Sequence, residues 1–270
     1  MINYYFNIVR AKVKAMTWEF ITNILILQPE GMKIDEAAHR VLLVEPDPNN
    51  RAAPRAIIVT KAVSQLLWDR DSDALWQNHH QLFRTLLLQP NAKSLLGYLY
   101  EPAFHDLCIR GTTFTIYQIT DSGSGPVNYK FTTDQLNPAK SEPLTLHEYT
   151  RISFNKDRPI DSLRNNCYYR PTTPNHPSYD SLIYDDSSRR ISVFQVTAAA
   201  EHGLSPKGVR ELVELGQRLH IENLKIRIIV VVYEDAQVAY KIEKRLFDAL
   251  GLEVYVLQVT EHQLYGFPSP

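Results

Sequence analysis

The chain has 270 residues, enough for one large domain, or for a domain and a smaller segment, with an ample hydrophobic core. Hydrophobic residues make up 44% and charged residues 22%, as in soluble globular proteins. The formal net charge of -1 excludes a basic surface over the whole chain, so any contact with nucleic acid must come from a local patch.

Cysteine content and the absence of targeting signals predict an intracellular protein. Cys108 and Cys167 are too few for a disulfide framework, and free thiols fit a reducing compartment. The apolar stretch Phe20–Leu27 is too short to span a bilayer, and no secretory signal is visible, so we expect no membrane partner.

Residues 1–90 are predicted to form a mainly helical amino-terminal segment in which no residue pattern points to chemistry. Val41–Val44 has the composition of a strand, and the Pro-rich and Asn-rich stretch Glu45–Pro54 predicts a turn or linker. Amphipathic patterns predict helices over Ile57–Trp68 and Asp73–Leu88.

Residues 91–265 are predicted to form the main domain, which opens with a helix over Lys93–Cys108. Pro102 is expected to kink this helix, and Gly111 to end it. Further strands are predicted at Phe114–Thr120, Lys130–Thr133 and Leu144–Thr150. The proline-rich stretch Arg170–Pro177 predicts an extended loop.

The segment Arg151–Arg170 is the best candidate for a nucleic-acid patch. It carries five basic residues against two aspartates, with Tyr168 and Tyr169 beside them. The alternative is an ordinary solvated face. The basic residues are Arg151, Lys156, Arg158, Arg164 and Arg170.

The stretch Ser178–Thr197 predicts a β-hairpin. Leu182–Tyr184 and Ile191–Val196 are rich in β-branched and aromatic residues, and the residues between them favour a turn. Side chains alternate between the faces of a strand, so Gln195 and Thr197 should point the same way.

The pattern after the hairpin is regular α/β. Ser205-Pro206 predicts the start of a helix that runs to about His220. A buried strand, a helix and a last strand are predicted at Ile226–Tyr233, Asp235–Leu250 and Leu252–Val259. The predicted fold class is therefore α/β, with a central mixed β-sheet flanked by helices.

Three oxygen-bearing side chains form a candidate metal site. Asp180 begins the hairpin, Gln195 ends its second strand, and Glu101 lies on the preceding helix. Carboxylate oxygens are preferred ligands of Mg²⁺, which activates a bound water for attack on a phosphodiester. Ordinary structural roles stay open: a turn cap for Asp180, hydrogen bonds across the sheet for Gln195 and Thr197, and a solvent-facing acid for Glu101.

The spacing of these residues resembles that of the PD-(D/E)XK nuclease superfamily, and residues 90–203 resemble the nuclease-like domain of Crinkler and retrotransposon-hot-spot proteins. The matching pieces are Lys93–His105, Tyr168–Pro171, Tyr179–Leu182, Phe194–Thr197 and His202. His39–Pro46 and Ala62–Trp68 are similar to the end of the P-loop ATPase module that precedes this domain in the family.

The resemblance implies a restriction-endonuclease-like fold that binds Mg²⁺ or Mn²⁺ and acts on DNA. It makes Asp180 the principal metal ligand, Gln195 the second ligand and Glu101 the helix acid. Thr197 stands where the family signature has lysine, and His202 or Lys207 are the candidates for the missing cation. No Gly-x-x-x-x-Gly-Lys-(Ser/Thr) loop is present, so we expect no nucleoside triphosphate partner.

Two functions follow from the sequence. The first is a metal-dependent endonuclease acting on DNA, which family context relates to effectors or mobile elements and to the nucleus. The second is a nuclease-like module that no longer cuts and binds nucleic acid or a protein partner. A third interpretation, a truncated gene product without a role, predicts poor expression and non-cooperative melting.

Overall fold

The structure is a computed structural model that divides into two compact units, Met1–Pro102 and Ala103–Pro270. It describes residues 11, 42–46, 54–58, 80, 83–84, 93–119, 128–132, 136–172, 176, 179–198, 201–234, 236 and 238–266. The predicted domain boundary near residue 90 stays a prediction.

The first unit contains an antiparallel β-hairpin. Strands β1 (Leu42–Pro46) and β2 (Pro54–Ile58) pair with Leu42 opposite Ile58. The predicted strand at Val41–Val44 is confirmed, whereas Ile57 and Ile58 belong to β2 and not to a helix. The rest of Ile57–Trp68, and most of Asp73–Leu88, lie outside the described residues.

Helix α1 (Lys93–Arg110) spans the division between the units and ends where it was expected to end. Gly111 adopts φ of +82°, a left-handed conformation that glycine reaches without strain, and the chain then enters a strand. Pro102 lies inside the helix. No described helix is long and apolar enough to cross a bilayer.

The second unit contains most of the strands. They are β3 (Thr112–Gln118), β4 (Asn128–Thr132), β5 (Ser141–Leu146), β6 (Thr150–Phe154), β7 (Cys167–Pro171), β8 (Ser181–Asp185), β9 (Arg190–Val196), β10 (Glu201–Gly203), β11 (Lys225–Tyr233), β12 (Ala239–Glu243) and β13 (Glu253–Val259). The helices are α2 (Pro206–Arg218), α3 (Lys244–Leu250) and α4 (Glu261–Tyr265), and Pro138–Lys140 is a 3₁₀ turn.

Eight strands form one mixed sheet in the order β5-β3-β13-β11-β9-β8-β7-β6. Strand β11 is parallel to both β9 and β13, and β7, β8 and β9 form an antiparallel meander. The two edge strands, β5 and β6, are joined by residues 147–149 alone. Such a link reaches about 14 Å, whereas a flat eight-stranded sheet would separate its edges by roughly 34 Å. The sheet must therefore curl strongly.

The two faces of this sheet are covered by different helices. On one face, the Phe104 ring of α1 lies with its centroid 6.1 Å from that of Phe114 and 5.6 Å from that of Phe194. On the other face, α2 buries Val209 and Leu212 in the main hydrophobic cluster, together with Val193 and Val230 of the sheet. The predicted mixed α/β fold is confirmed at this level.

Helix α2 begins as the sequence predicts. The hydroxyl of Ser205 accepts a hydrogen bond from the amide of Lys207, and Pro206 occupies the first turn. The hairpin of β8 and β9 and the buried strand β11 are also confirmed.

The predicted helix over Asp235–Leu250 is wrong in its first half. Residues Ala239–Glu243 form strand β12, in which Tyr240 and Ile242 are buried and Lys241 is exposed. This alternation is the period of a strand, and β12 pairs with β4 and β10 in a separate three-stranded sheet. The second half of the segment is the short helix α3.

Two other sequence predictions need correction. Arg170 and Pro171 belong to strand β7, and the predicted loop is therefore shorter at its start. Leu144–Thr150 is two strands, because residues 147–149 interrupt it between the opposite edges of the sheet.

Candidate functional site

Asp180 is held against the end of strand β9 by two hydrogen bonds. Its amide donates to the carbonyl of Phe194 at 2.9 Å, and its Oδ2 accepts from the amide of Val196 at 2.8 Å. These bonds bracket Gln195 in the sequence, so the structure brings together the two residues that the hairpin pattern selected.

Gln195 is buried and receives a hydrogen bond from a residue of the small sheet. Gln195 is only 4% exposed. Its Oε1 accepts a hydrogen bond from the hydroxyl of Tyr240, which is fully buried. Burial raises the pKa of Tyr240, and the negative charge of Asp180 raises that pKa further. The phenol therefore stays protonated. We call Asp180, Gln195 and Tyr240 the Asp180 corner.

The position of the signature lysine offers no cation. Thr197 is 4% exposed, and its amide donates to the carbonyl of Val231 at 3.0 Å, which continues the pairing of β9 with β11. The burial of Gln195 and Thr197 is compatible with the alternative that they form hydrogen bonds across the sheet.

The two candidates for a substitute cation occupy different places. His202 lies in β10, in register with Tyr240 of β12, so its backbone neighbours the Asp180 corner. Lys207 is exposed in the first turn of α2 and lines a separate cavity.

Glu101 is not the solvent-facing acid that one interpretation of the sequence proposed. It lies within α1, in the unit Met1–Pro102, and is 9% exposed. A buried carboxylate in a helix requires compensating partners, and its burial by itself fits a structural acid as well as a metal ligand.

A divalent ion at the Asp180 corner would have to share its ligand oxygens with hydrogen bonds of the protein. Hard cations take oxygen ligands with accessible lone pairs. Here Oδ2 of Asp180 and Oε1 of Gln195 both already accept hydrogen bonds from the protein. In the described part of the chain, no three His, Cys, Asp or Glu side chains are grouped so that they could hold a metal.

A second polar network lies on the α1 face of the sheet and includes Ser181 of the β8–β9 hairpin. The hydroxyl of Tyr168 lies 2.6 Å from Nδ1 of His105 and 2.6 Å from Oγ of Ser181. All three side chains are buried, and burial raises the pKa of the neighbouring Cys108 thiol. Hydrogen-bonded groups enclosed in this way hold α1, β7 and β8 together and offer no reactive nucleophile.

The basic segment predicted for nucleic acid presents cations but no stacking surface. Arg151, Lys156, Arg158 and Arg164 are exposed, while Tyr168 and Tyr169 are buried. The hydroxyl of Tyr169 donates to the carbonyl of Ser162 and accepts from the amide of Arg164, so this ring supports the segment from within. Phosphate contact remains available, but base stacking on these tyrosines does not.

Sequence reasoning missed Tyr240, the residue that completes the Asp180 corner. The signal that would have found it is the alternation in Ala239–Glu243, which has the strand period. The strong helix formers on either side of Ala239–Glu243 favoured the prediction of a continuous helix instead. No family model, curated protein or solved structure matches the chain.

Proposed function

We propose that this chain is a restriction-endonuclease-like module that binds nucleic acid and does not cut it. The observation that carries the proposal is the hydrogen bond from Tyr240 to Oε1 of Gln195, the oxygen that would serve as the second metal ligand. Together with the bond from Val196 to Oδ2 of Asp180, it gives each of two prospective ligand oxygens a hydrogen-bond donor from the protein.

The order of elements around the corner supports the family part of the proposal. Strands β7, β8 and β9 form an antiparallel meander, α2 follows, and β11 returns parallel to β9. This order is compatible with the frame that the resemblance implies, and β3, β5, β6 and β13 lie to either side of these strands.

Nucleic acid is the partner that the charge of the adjacent sheet edge favours. Arg151 of β6 and Lys156 and Arg158 in the loop after it are exposed cations on one edge of the sheet. Cations of this kind bind phosphates without reading sequence, and their contribution falls as salt rises.

Fluorescence anisotropy with a labelled duplex tests the binding half of the proposal. We expect saturable, salt-dependent binding that weakens about ten-fold in Arg158→Glu. Arg245→Glu is the matched control, because Arg245 is an exposed arginine on α3 and its reversal changes the net charge equally. Equal loss in both variants, or no binding by the wild type, would contradict the proposal.

A metal-dependent endonuclease is the second candidate, and the position of Asp180 favours it. Asp180 is only partly buried, and its carboxylate accepts a hydrogen bond from the amide of Val196, the residue that follows Gln195. This function predicts plasmid nicking in Mg²⁺ or Mn²⁺ that is abolished in Asp180→Asn. The non-cutting module predicts the same plasmid topology with and without protein.

A further inference from the structure

A cavity of about 730 Å³ opens beside α2, and its lining does not include Asp180, Gln195 or Tyr240. Its walls come from the end of β6 and the loop after it, from His176 and Tyr179, and from one side of α2. The volume is in the range of pockets that bind small organic ligands.

One wall of the cavity is aromatic and fixed in place. The ring centroid of His176 lies 4.4 Å from that of Tyr179 and 6.1 Å from that of Phe154. Tyr179 and Phe154 are buried, whereas His176 keeps 13% of its side chain exposed. The exposed part of the His176 ring is the aromatic surface that this wall offers to a flat ring.

The loop after β6, which forms another part of the lining, is braced by hydrogen bonds. Oδ1 of Asn155 accepts from the amides of Asp157 and Arg158, each at 2.9 Å, and Nδ2 of Asn155 donates to Thr172. Arg218 of α2 donates to the carbonyl of Ile160 at 3.0 Å, which ties the helix to the loop. The loop after β6 and helix α2 are therefore joined directly by a hydrogen bond.

The polar groups of the cavity are of both signs. Lys156, in the loop after β6, and Lys207, in the first turn of α2, are exposed cations that line the cavity. Glu211, whose Oε2 lies 3.4 Å from Nε2 of His176, and Glu214 add acceptors on the helix side. A ligand matched to this set has a flat ring, N–H donors and an anionic group.

We infer that this cavity binds a nucleotide, with its base against His176 and its phosphate at Lys207 and Lys156. Base stacking on aromatic rings combined with cations for the phosphate is the usual chemistry of single-stranded nucleic-acid sites. The inference rests on the proposed function in one respect, namely that nucleic acid is the polymer that would supply such a base.

The same chemistry could come from a free nucleotide or from an unpaired base in a strand. Titration calorimetry of wild-type protein with adenosine 5′-monophosphate, and with a single-stranded adenine oligonucleotide, separates the two sources. Binding of both supports a strand site, and binding of the mononucleotide alone supports a site for free nucleotide. Binding of neither overturns the inference.

Ribose 5-phosphate is the control that isolates the base, because it carries the phosphate and sugar alone. We expect it to bind at least about ten-fold more weakly than the mononucleotide. Equal affinity would reduce the cavity to an anion site and contradict the inference. Duplex binding measured on the same sample reports on the proposed function separately, so the two can fail independently.

Two substitutions on exposed positions of α2 locate the ligand. Gln217→Trp would fill the cavity and should reduce nucleotide affinity about ten-fold or more, while Arg210→Trp should leave it unchanged. Gln217 lines the cavity, whereas Arg210 is exposed on the same helix and is not part of its lining. Nucleotide affinity that is the same in both variants would move the site elsewhere.

Discussion

Tyr240 determines the state of the Asp180 corner at the scale of a single residue, because its hydroxyl is the donor to Gln195. The two side chains come from different sheets, so this hydrogen bond also links β12 to β9. Burial and the charge of Asp180 both raise the pKa of Tyr240, which keeps the donor protonated at neutral pH.

Tyr240→Phe should lower the free energy of unfolding by about 1–2 kcal/mol, because it leaves a buried amide oxygen without this donor. Urea denaturation measures the loss. Tyr117→Phe is the control, since Tyr117 is half-buried on β3, and we expect a change within about 0.5 kcal/mol. An equal loss of unfolding free energy in the two variants would mean that the hydrogen bond from Tyr240 to Gln195 does not stabilise the fold.

At the scale of elements, Gly111 lies between α1 and β3 and packs against the link of residues 147–149 that connects β5 to β6. A Cβ at Gly111 would lie 3.0 Å from the carbonyl carbon of His147 and 3.1 Å from the amide nitrogen of Glu148. The amide of Tyr149 donates to the carbonyl of Ile109, so helix and link are in direct contact. Only a residue without a side chain fits this junction.

Gly111→Ala should destabilise the fold by about 2 kcal/mol or more, since it adds backbone crowding to the cost of a left-handed conformation. Gly251→Ala separates the two terms, because Gly251 has φ of +55° and nothing lies within 4 Å of its added Cβ. We expect about 1 kcal/mol there. Thermal or urea unfolding measures both, and a Gly251→Ala loss as large as that of Gly111→Ala would contradict the packing argument.

The elements show which parts of the fold local sequence can predict. The β8–β9 hairpin, the Ser205 cap of α2 and the apolar run of β11 follow from residues close in the chain, and all three are confirmed. Strand β12 was missed because its short alternation is stabilised by pairing with β4, more than a hundred residues away in the chain. Local residue propensities do not indicate pairing with a strand so distant in the chain.

At the scale of the whole molecule, many tyrosines are enclosed by the curled sheet and its cover. Burial raises the pKa of Tyr169 to about 12, and it raises the pKa of Tyr168, Tyr179 and Tyr265 as well. A tyrosine in the unfolded chain titrates near pH 10. The folded state therefore keeps protons that the unfolded state releases above that pH.

The free energy of unfolding should accordingly fall as pH rises from about 10 to about 12, with the contribution of Tyr169 fully present below that interval. Urea denaturation in buffers of increasing pH measures the slope. Tyr169→Phe should make the slope shallower, because phenylalanine has no proton to lose. A free energy that stays level across this interval would contradict the assignment.

The packing of the whole molecule also explains which features of the site the sequence could not predict. The sequence placed Asp180 and Gln195 in one hairpin, which is a local relation and correct. It had no means of showing that Tyr240 reaches Gln195 from another sheet, or that Lys207 lines a different cavity. Those facts depend on how distant elements pack.

The proposed non-cutting function depends most directly on the hydrogen bonds that Asp180 and Gln195 accept from within the protein. Isothermal titration of Mn²⁺ into the wild type, with Asp180→Asn as the matched control, measures this. We predict no saturable heat in the wild type beyond that of the variant, and no plasmid nicking in the same samples. Stoichiometric Mn²⁺ binding and nicking that both disappear in Asp180→Asn would contradict the account and establish an active nuclease.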